Sequence, residues 1–267
     1  MNTKLKEQLR RKCASLDIPM MGIAPVERWE RPPFEPWIPK DFWPHVIFPE
    51  ARSVVVIGLP IALPILETSP SIFYHELYKN VNALLDQYTY RLALYLTGKG
   101  FPSIYVPRDG YGHISLLKDK PIAFFSHRHA AYLAGLGSFG VSNMILTREH
   151  GPRVRFGAVF TSAELPGDPV LKEQLCVRCM RCVKICPVDA LRRKDYPYGL
   201  TDKRACAERN ELLAERFVSP CGFCIKVCPV GEDRKEFSRM DSSIYEDGKA
   251  PEHLDKAWKH VRAFGSK

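Results

Sequence analysis

The sequence predicts an α+β protein in two parts, a mixed front region followed by a small cysteine-rich region. Two cysteine runs carry the second part: CVRCMRCVKICP from Cys176 and CGFCIKVCP from Cys221. About two thirds of the 267 residues lie ahead of them, and there strand-like and helix-like patterns follow one another without a regular repeat. Hydrophobic residues make up 45% and charged residues 26%, so the chain has the composition of an ordinary globular protein able to bury a sizeable core.

The elements of the front part can be read in order. Residues 3 to 16, around LKEQLRRKCASL, form an amphipathic helix, and a lone cysteine at Cys13 on such a helix reads as a small buried residue. From Pro25 to Pro49 prolines and aromatics crowd together in WERPPFEPWIPKDFWPH, which predicts an ordered but irregular segment. ARSVVVIGLPI is a strand with a basic start and a proline stop. Ile72 to Thr97 is a long helix with apolar positions at Leu77, Val81, Leu84, Leu85, Tyr88, Leu92 and Tyr95, closed by Gly98 and Gly100. PSIYVP is a short strand, PRDGYGH a loop, HAAYLAGLG a helix stopping in glycine, and VRFGAVFTS a further strand. A short helix near EHLDKAWKHVRAF ends the chain.

The longest apolar stretch, SVVVIGLPIALPIL, is broken by Gly58, Pro60 and Pro64 and predicts a buried strand with its exit loop, not a membrane span. Arg10-Arg11 is not followed by the apolar region of a twin-arginine export signal, so a cytoplasmic protein is expected.

Eight of the nine cysteines are spaced for metal. Cys176, Cys179, Cys182 and Cys186 stand two, two and three residues apart before Pro187, and Cys221, Cys224 and Cys228 repeat part of this before Pro229. Thiols this close favour metal or cluster binding over disulfides between distant strands. A zinc ribbon also uses paired Cys-x-x-Cys sites, but a 2-2-3 run ending in proline is the pattern of a bacterial two-cluster ferredoxin, in which the fourth cysteine of each run serves the other cluster. That rule gives one [4Fe–4S] cluster to Cys176, Cys179, Cys182 and Cys228. The second takes Cys186, Cys221 and Cys224, with Cys206 in DKRACAERN as the candidate for its missing ligand.

Eight thiolates and two oxidised cores bring the formal charge of +9 down to about +5. The balance suits an anionic small molecule or an acidic partner protein. It is compatible with tRNA, but no basic tract interleaved with aromatics indicates one.

The sharpest feature upstream is HRHAAYLAGLGSFGVSNMILTREHGPRVRFGAVFTSAEL, residues 127 to 165. Gly135, Gly137 and Gly140 permit positive φ and close approach, and the amides around them can bind oxygens. The order of elements is not that of a dinucleotide fingerprint, and a glycine-rich turn packing two elements together fits the pattern equally well.

That segment, with the preceding strand and long helix, GPRVRFGAVFT, and then CVRCMRCVKICP, DKRAC and CGFCIKVCP, resembles the cobalamin-dependent reductases that comprise epoxyqueuosine reductases and reductive dehalogenases. AGLGSFG and GPRVRFGAVFT look closer to the dehalogenase side, and the likeness covers roughly residues 50 to 232. A single upstream cysteine completing the second cluster is also the family's arrangement. The resemblance implies a nitroreductase-like corrinoid-binding domain over 1–165, a two-[4Fe–4S] ferredoxin-like domain over 166–235, and a tail with a short helix over 236–267. It implies clusters that reduce a base-off cobalamin, which in turn removes oxygen or halogen reductively from an organic substrate. No Asp-x-His-x-x-Gly motif supplies a lower histidine ligand, which suits the base-off form. The candidate contacts for the corrinoid are Gly135, Leu136, Gly137, Ser138, Phe139, Gly140, Ser142 and Asn143.

Three departures restrict the carry-over. Where epoxyqueuosine reductases have a DSAP-like segment, this chain has KDKPIAFFSH, and Asp119 does not align cleanly with the aspartate. It lacks their helical-repeat extension, and it lacks the export signal and longer front region of respiratory dehalogenases. Candidate proton donors are Tyr111 and His113 in PRDGYGH, with Arg108 beside them to lower a tyrosine's pKa or hold an anionic substrate. Glycine-flanked residues of this kind also commonly pin turns. His127, His129, Tyr74 and His75 are weaker candidates. The expected partners are a small-molecule substrate or a corrinoid protein, and a low-potential donor such as ferredoxin or flavodoxin. The alternatives are an electron-transfer protein that activates a corrinoid methyltransferase, or an iron–sulfur flavoprotein holding FMN in the front domain.

Overall fold

A computed structural model describes every residue except 36, 110–112 and 265–267. It shows the expected mixture of helix and strand. The strands are β1 (Met20–Pro25), β2 (Ser53–Pro60), β3 (Ser103–Val106), β4 (Ser138–Phe139), β5 (Ile145–Leu146) and β6 (Val154–Thr161). Four of them form one antiparallel sheet in the order β1-β2-β6-β3, and β4 pairs with β5 separately.

The sheet is covered on both faces, which explains why its central strands read as unbroken apolar runs. Register places Val55 opposite both Ile23 and Val159, and this row packs under the N-terminal helix Thr3–Ala14 and the long helix Ile72–Thr97, against Leu9, Leu85 and Leu92. One residue along, Val54 and Val56 point the other way with Phe160 and Ala158, toward Trp29, Phe125 and the helix His127–Leu133. Cys13 is buried in the first of these layers, where burial pushes its thiol up to about 12, so it stays a protonated packing group.

The sequence did not suggest β1, whose six residues MMGIAP contain a glycine and end in proline. Its outer edge is closed by Asp168. The Ile23 amide donates to that carboxylate at 2.9 Å, Asp168 donates its own amide to the Ile23 carbonyl, and Lys6 and Arg10 of the first helix neutralise it at 2.8 and 2.7 Å. The helix expected over HAAYLAGLG begins two residues earlier and stops at Leu133, leaving the glycines outside it. A further helix, Lys203–Ala214, capped by the Asp202 side chain, carries Cys206. The aromatic segment after Pro25 is irregular as expected, with short turns of 3-10 helix at Val26–Arg28 and Lys40–Phe42.

The sheet is joined to the cysteine segment by Arg153, just before β6. Its side chain has no exposure, yet every donor is used. Nε and Nη2 both reach Asp233 at 2.6 Å, Nη1 reaches the carbonyls of Ile225 and Cys228, and Nη2 also reaches that of Val230. Arg234, equally buried, donates to the carbonyls of Cys228 and Lys226.

Breaking this pair leaves a buried carboxylate uncompensated. Arg153→Met is expected to lower unfolding stability by about 3–5 kcal/mol. The urea midpoint of the variant measures this.

Candidate redox site

The two cysteine runs fold as structural repeats. Met180 takes a left-handed conformation (φ 57°) and caps the four-residue helix Arg181–Lys184, while Gly222 (φ 74°) caps Phe223–Lys226 in the same way. These short helices contact each other, and each leads into a Cys-Pro step.

The thiols act on one another within and across the two runs. Burial, then Cys228, Cys176 and Cys179, push the Cys182 thiol up to about 12. Cys224 is pushed up by burial and then by Cys221, Cys206, Cys182 and Cys186; Cys206 is pushed up by burial and then by Cys221 and Cys186. Cys182 also acts on Cys224, across the two runs. Burial also raises Cys228, to about 11, opposed by the Val230 amide and by the charges of Arg153 and Arg234. Four neighbouring thiols cannot all ionise in such a place unless a highly charged cation joins them, and an iron–sulfur core supplies that charge. The donor set therefore fits cubanes.

Asn210 escaped the sequence reading. It lies one turn after Cys206, where its Nδ2 donates to the Cys206 carbonyl at 2.7 Å and approaches the sulfur at 3.5 Å, while its Oδ1 accepts from the Cys221 amide at 2.8 Å. One amide thus fixes the isolated cysteine to the second run. The signal was present as the i, i+4 spacing in CAERN.

The glycine loop sits at the seam between sheet and cysteine segment. Gly135 has φ 75°, and a Cβ there would collide with the Pro169 carbonyl. Gly137 lies as closely on Leu146, and Gly140 on the Leu146 side chain, 3.7 Å from the Cys176 sulfur measured from where a Cβ would stand. Ser138 donates to Gln174 and accepts from the Leu175 amide, next to Cys176. Asn143 donates to the carbonyls of Gly199 and Val141 and accepts from the amide and hydroxyl of Thr201. Phe139 stacks on Tyr196 at 3.9 Å, and the Tyr196 hydroxyl meets His129 Nε2 at 2.7 Å. Ser142 is buried and Leu136 is half-buried against the core. The close approaches these glycines allow are thus to the chain's own atoms, and the polar side chains of Ser138 and Asn143 are already engaged.

A polar stripe runs along the long helix on the other side of the seam. Tyr74, Tyr78, Asn82 and Asp86 recur every four residues and face one way. Tyr74 is buried and packs with Cys224. Arg155 from β6 lies 4.4 Å over the Tyr78 ring, donates to Asn82 at 3.0 Å, and reaches Asp109 at 3.2 Å. Burial raises the Tyr78 phenol while the Arg155 charge lowers it. Arg108 pairs with Asp86 and stands 3.5 Å from Asp109. His113 is exposed, with Nδ1 against Ser115, and Tyr111 lies outside the described residues. His127 donates from Nε2 to the Pro107 carbonyl, and its Nδ1 is buried without a partner. His75 meets the Ser219 carbonyl through Nδ1 at 2.6 Å.

Known proteins match both halves of this arrangement. The family described as 4Fe-4S dicluster domain matches residues 175–232. A tetrachloroethene reductive dehalogenase of Desulfitobacterium hafniense is 25% identical over 205 residues, covering 75% of this chain and 34% of that protein. An epoxyqueuosine reductase of Pseudomonas aeruginosa is 38% identical over 73 residues, 27% of this chain and 19% of its own length. In fold, a solved epoxyqueuosine reductase bound to an epoxyqueuosine-modified tRNA-Tyr stem loop superposes with TM-score 0.59 at 20% identity, over 91% of this chain and 70% of that one. A catabolic reductive dehalogenase superposes at 0.58 and 16% identity, over 91% of this chain and 33% of its own. The homologues are therefore reductases of the two kinds that the sequence resembles. The matched stretch spans about a third of the dehalogenase's length.

The half-buried imidazoles of His127 and His129 make stability fall in acid. Burial lowers His127 from 6.5 to about 4, and burial with the charges of Arg128 and Lys203 lowers His129 to about 3. Unfolded imidazoles protonate as pH falls through 6.5, while the folded ones resist until near 4 and 3. Their contribution is whole above 6.5 and shrinks as pH drops toward those values. His129→Phe is expected to show a smaller loss of urea midpoint between neutral and mildly acidic buffer than the parent protein.

Proposed function

We propose that the chain is a cobalamin-dependent iron–sulfur reductase. One [4Fe–4S] cluster is held by Cys176, Cys179, Cys182 and Cys228, and a second by Cys186, Cys206, Cys221 and Cys224. The observation that carries the reading is the pair of cysteine runs that each turn through a left-handed residue into a four-residue helix and a Cys-Pro step, with Asn210 tying Cys206 to Cys221 and Tyr74 packed beside Cys224. The dehalogenase and reductase relatives support the same assignment.

The corrinoid is implied by the resemblance, and the loop fits it in part. The side chains of Ser138 and Asn143 are taken within the chain, and the amides of Gly135, Leu136 and Gly140 donate to the carbonyls of Tyr132, Ala131 and Met144, so the half-buried Gly135 and Leu136 are the surface the loop can offer. When bound, a base-off corrinoid supplies a low-valent cobalt able to reduce a carbon–oxygen or carbon–halogen bond, drawing on the low potentials of the clusters.

The chain's own part in the chemistry is to hold and deliver a proton. Tyr78 is neutral through burial and therefore able to donate, and Arg155 against its ring stabilises the phenolate that remains. Arg108 steadies this end of the stripe through Asp86 and Asp109. Tyr111 and His113 are the competing donors from the adjoining loop.

Anaerobic production with a corrinoid supply tests the assignment. About eight irons per chain and one cobalt with a base-off spectrum are expected from two four-iron clusters and one corrinoid. Retained FMN would instead make this an iron–sulfur flavoprotein, and cobalt reduction that activates a methyltransferase without turning over any epoxide or halide would make it an electron-transfer protein.

Tyr78→Phe is expected to reduce turnover by about 100-fold, the lower range for loss of a general acid, with iron content unchanged. Tyr111→Phe and His113→Gln, assayed beside it, identify the donor by which of the three loses rate.

A further inference from the structure

The outer edge of the first cysteine group is the one place where a ligand cysteine is exposed. Cys179 is the exposed member of the eight, and Val177 beside it is 65% exposed. Electron tunnelling favours short paths, so a donor protein gains most by seating here. The segment that carries this edge is predominantly basic. From Lys172 to Asp195 there are seven basic and three acidic residues, and two of the three acids are already engaged, Glu173 by Arg148 at 2.6 Å and Asp195 by Arg178 at 2.8 Å. Asp189 is the third. Among the described residues Arg192, Arg193 and Lys194 are exposed and form no ion pair, while Arg181 pairs with Glu246 and the Lys184 charge also acts on that carboxylate.

The Arg178–Asp195 pair matters for more than its own energy, which at such an exposed site is small. Asp195 ends the Arg192–Lys194 run, and its carboxylate holds the residue next to Cys179. The pair therefore brings three unneutralised cations alongside the turn that carries the exposed cysteine, with Lys184 on the helix immediately after it. An exposed apolar Val177 with the Arg192–Lys194 cations brought to one side of it is complementary to a partner with an acidic rim.

We propose that this face docks an acidic, low-potential electron-carrier protein of the ferredoxin type, which passes electrons to the first cluster through Cys179. The inference rests on the two-cluster part of the function proposed above, and is independent of the corrinoid. In each transfer the reduced carrier gives up one electron and is oxidised, the cluster core takes it and falls from 2+ to 1+, and no bond is made or broken.

The test uses the iron-loaded full chain, an acidic plant-type ferredoxin as probe, and the triple variant Arg192→Glu, Arg193→Glu, Lys194→Glu. Binding of the oxidised ferredoxin is measured by calorimetry at low and high salt, and electron transfer from the reduced form by stopped flow. At low salt the triple variant is expected to bind at least about tenfold more weakly and to accept electrons correspondingly more slowly, with the difference closing as salt screens the charges. Methyl viologen radical, too small to need the face, should reduce both proteins alike.

Equal ferredoxin binding in parent and variant overturns the proposal. So does an equal loss on reversing Lys4 and Arg11, which lie on the exposed side of the first helix. A variant that keeps ferredoxin but releases a tRNA stem loop would assign the face to RNA and overturn it as well. A chain that takes up no iron fails the cluster assignment itself, whereas an iron-loaded chain indifferent to ferredoxin and to salt fails the docking proposal alone.

Discussion

The buried pair of Arg153 and Asp233 is the constraint on which the rest of the arrangement depends. A guanidinium with no access to water must find a partner for each of its N–H groups, and here they are the Asp233 carboxylate and three carbonyls of the second cysteine run. Such a pair contributes less to net stability than its geometry suggests, because both ions are desolvated. What it supplies is position. The segment from Ile225 to Val230 is referred directly to the end of β6, so the sulfur of Cys228 takes its place from the sheet. The charge has a second effect, since Arg153 and Arg234 together draw the Cys228 thiol downward against the effect of burial.

Position on the other side of the seam is set by neutral groups. Asn143 uses four hydrogen bonds to tie the end of the glycine loop to Val141, Gly199 and Thr201, and Ser138 ties its start to the residues just before Cys176. Stacking of Phe139 on Tyr196 fills the space between. The front sheet and the cysteine segment thus share a packed boundary of amides, hydroxyls and rings, and the polar stripe of the long helix meets that boundary at Tyr74.

Local pattern made much of this legible. The long helix was readable to its ends because Ser71 and Gly98 bracket a sustained 3.6-residue period, and β2 and β6 were readable because burial on both faces makes a strand uniformly apolar. The two cysteine runs were readable because each repeats a left-handed turn, a four-residue helix and a Cys-Pro step. What local pattern could not supply was contact between distant segments. β1 is held by Asp168, 145 residues further on, and Arg153 finds Asp233 across 80 residues. The glycines of AGLGSFG signal close approach, but nothing in their own sequence says that the approaching atoms belong to Pro169 and Leu146. Tyr78 and Arg155 are likewise ordinary in their own segments, and only the packing of the long helix on β6 brings them together.

The attachment of the glycine loop to both flanks of the first cysteine run gives assembly of the molecule a direction. Gln174, Leu175, Gly199 and Thr201 can hold the loop only once the chain between them has taken its final course. The wall that the loop makes at the seam is therefore set only together with the fold of residues 174 to 201.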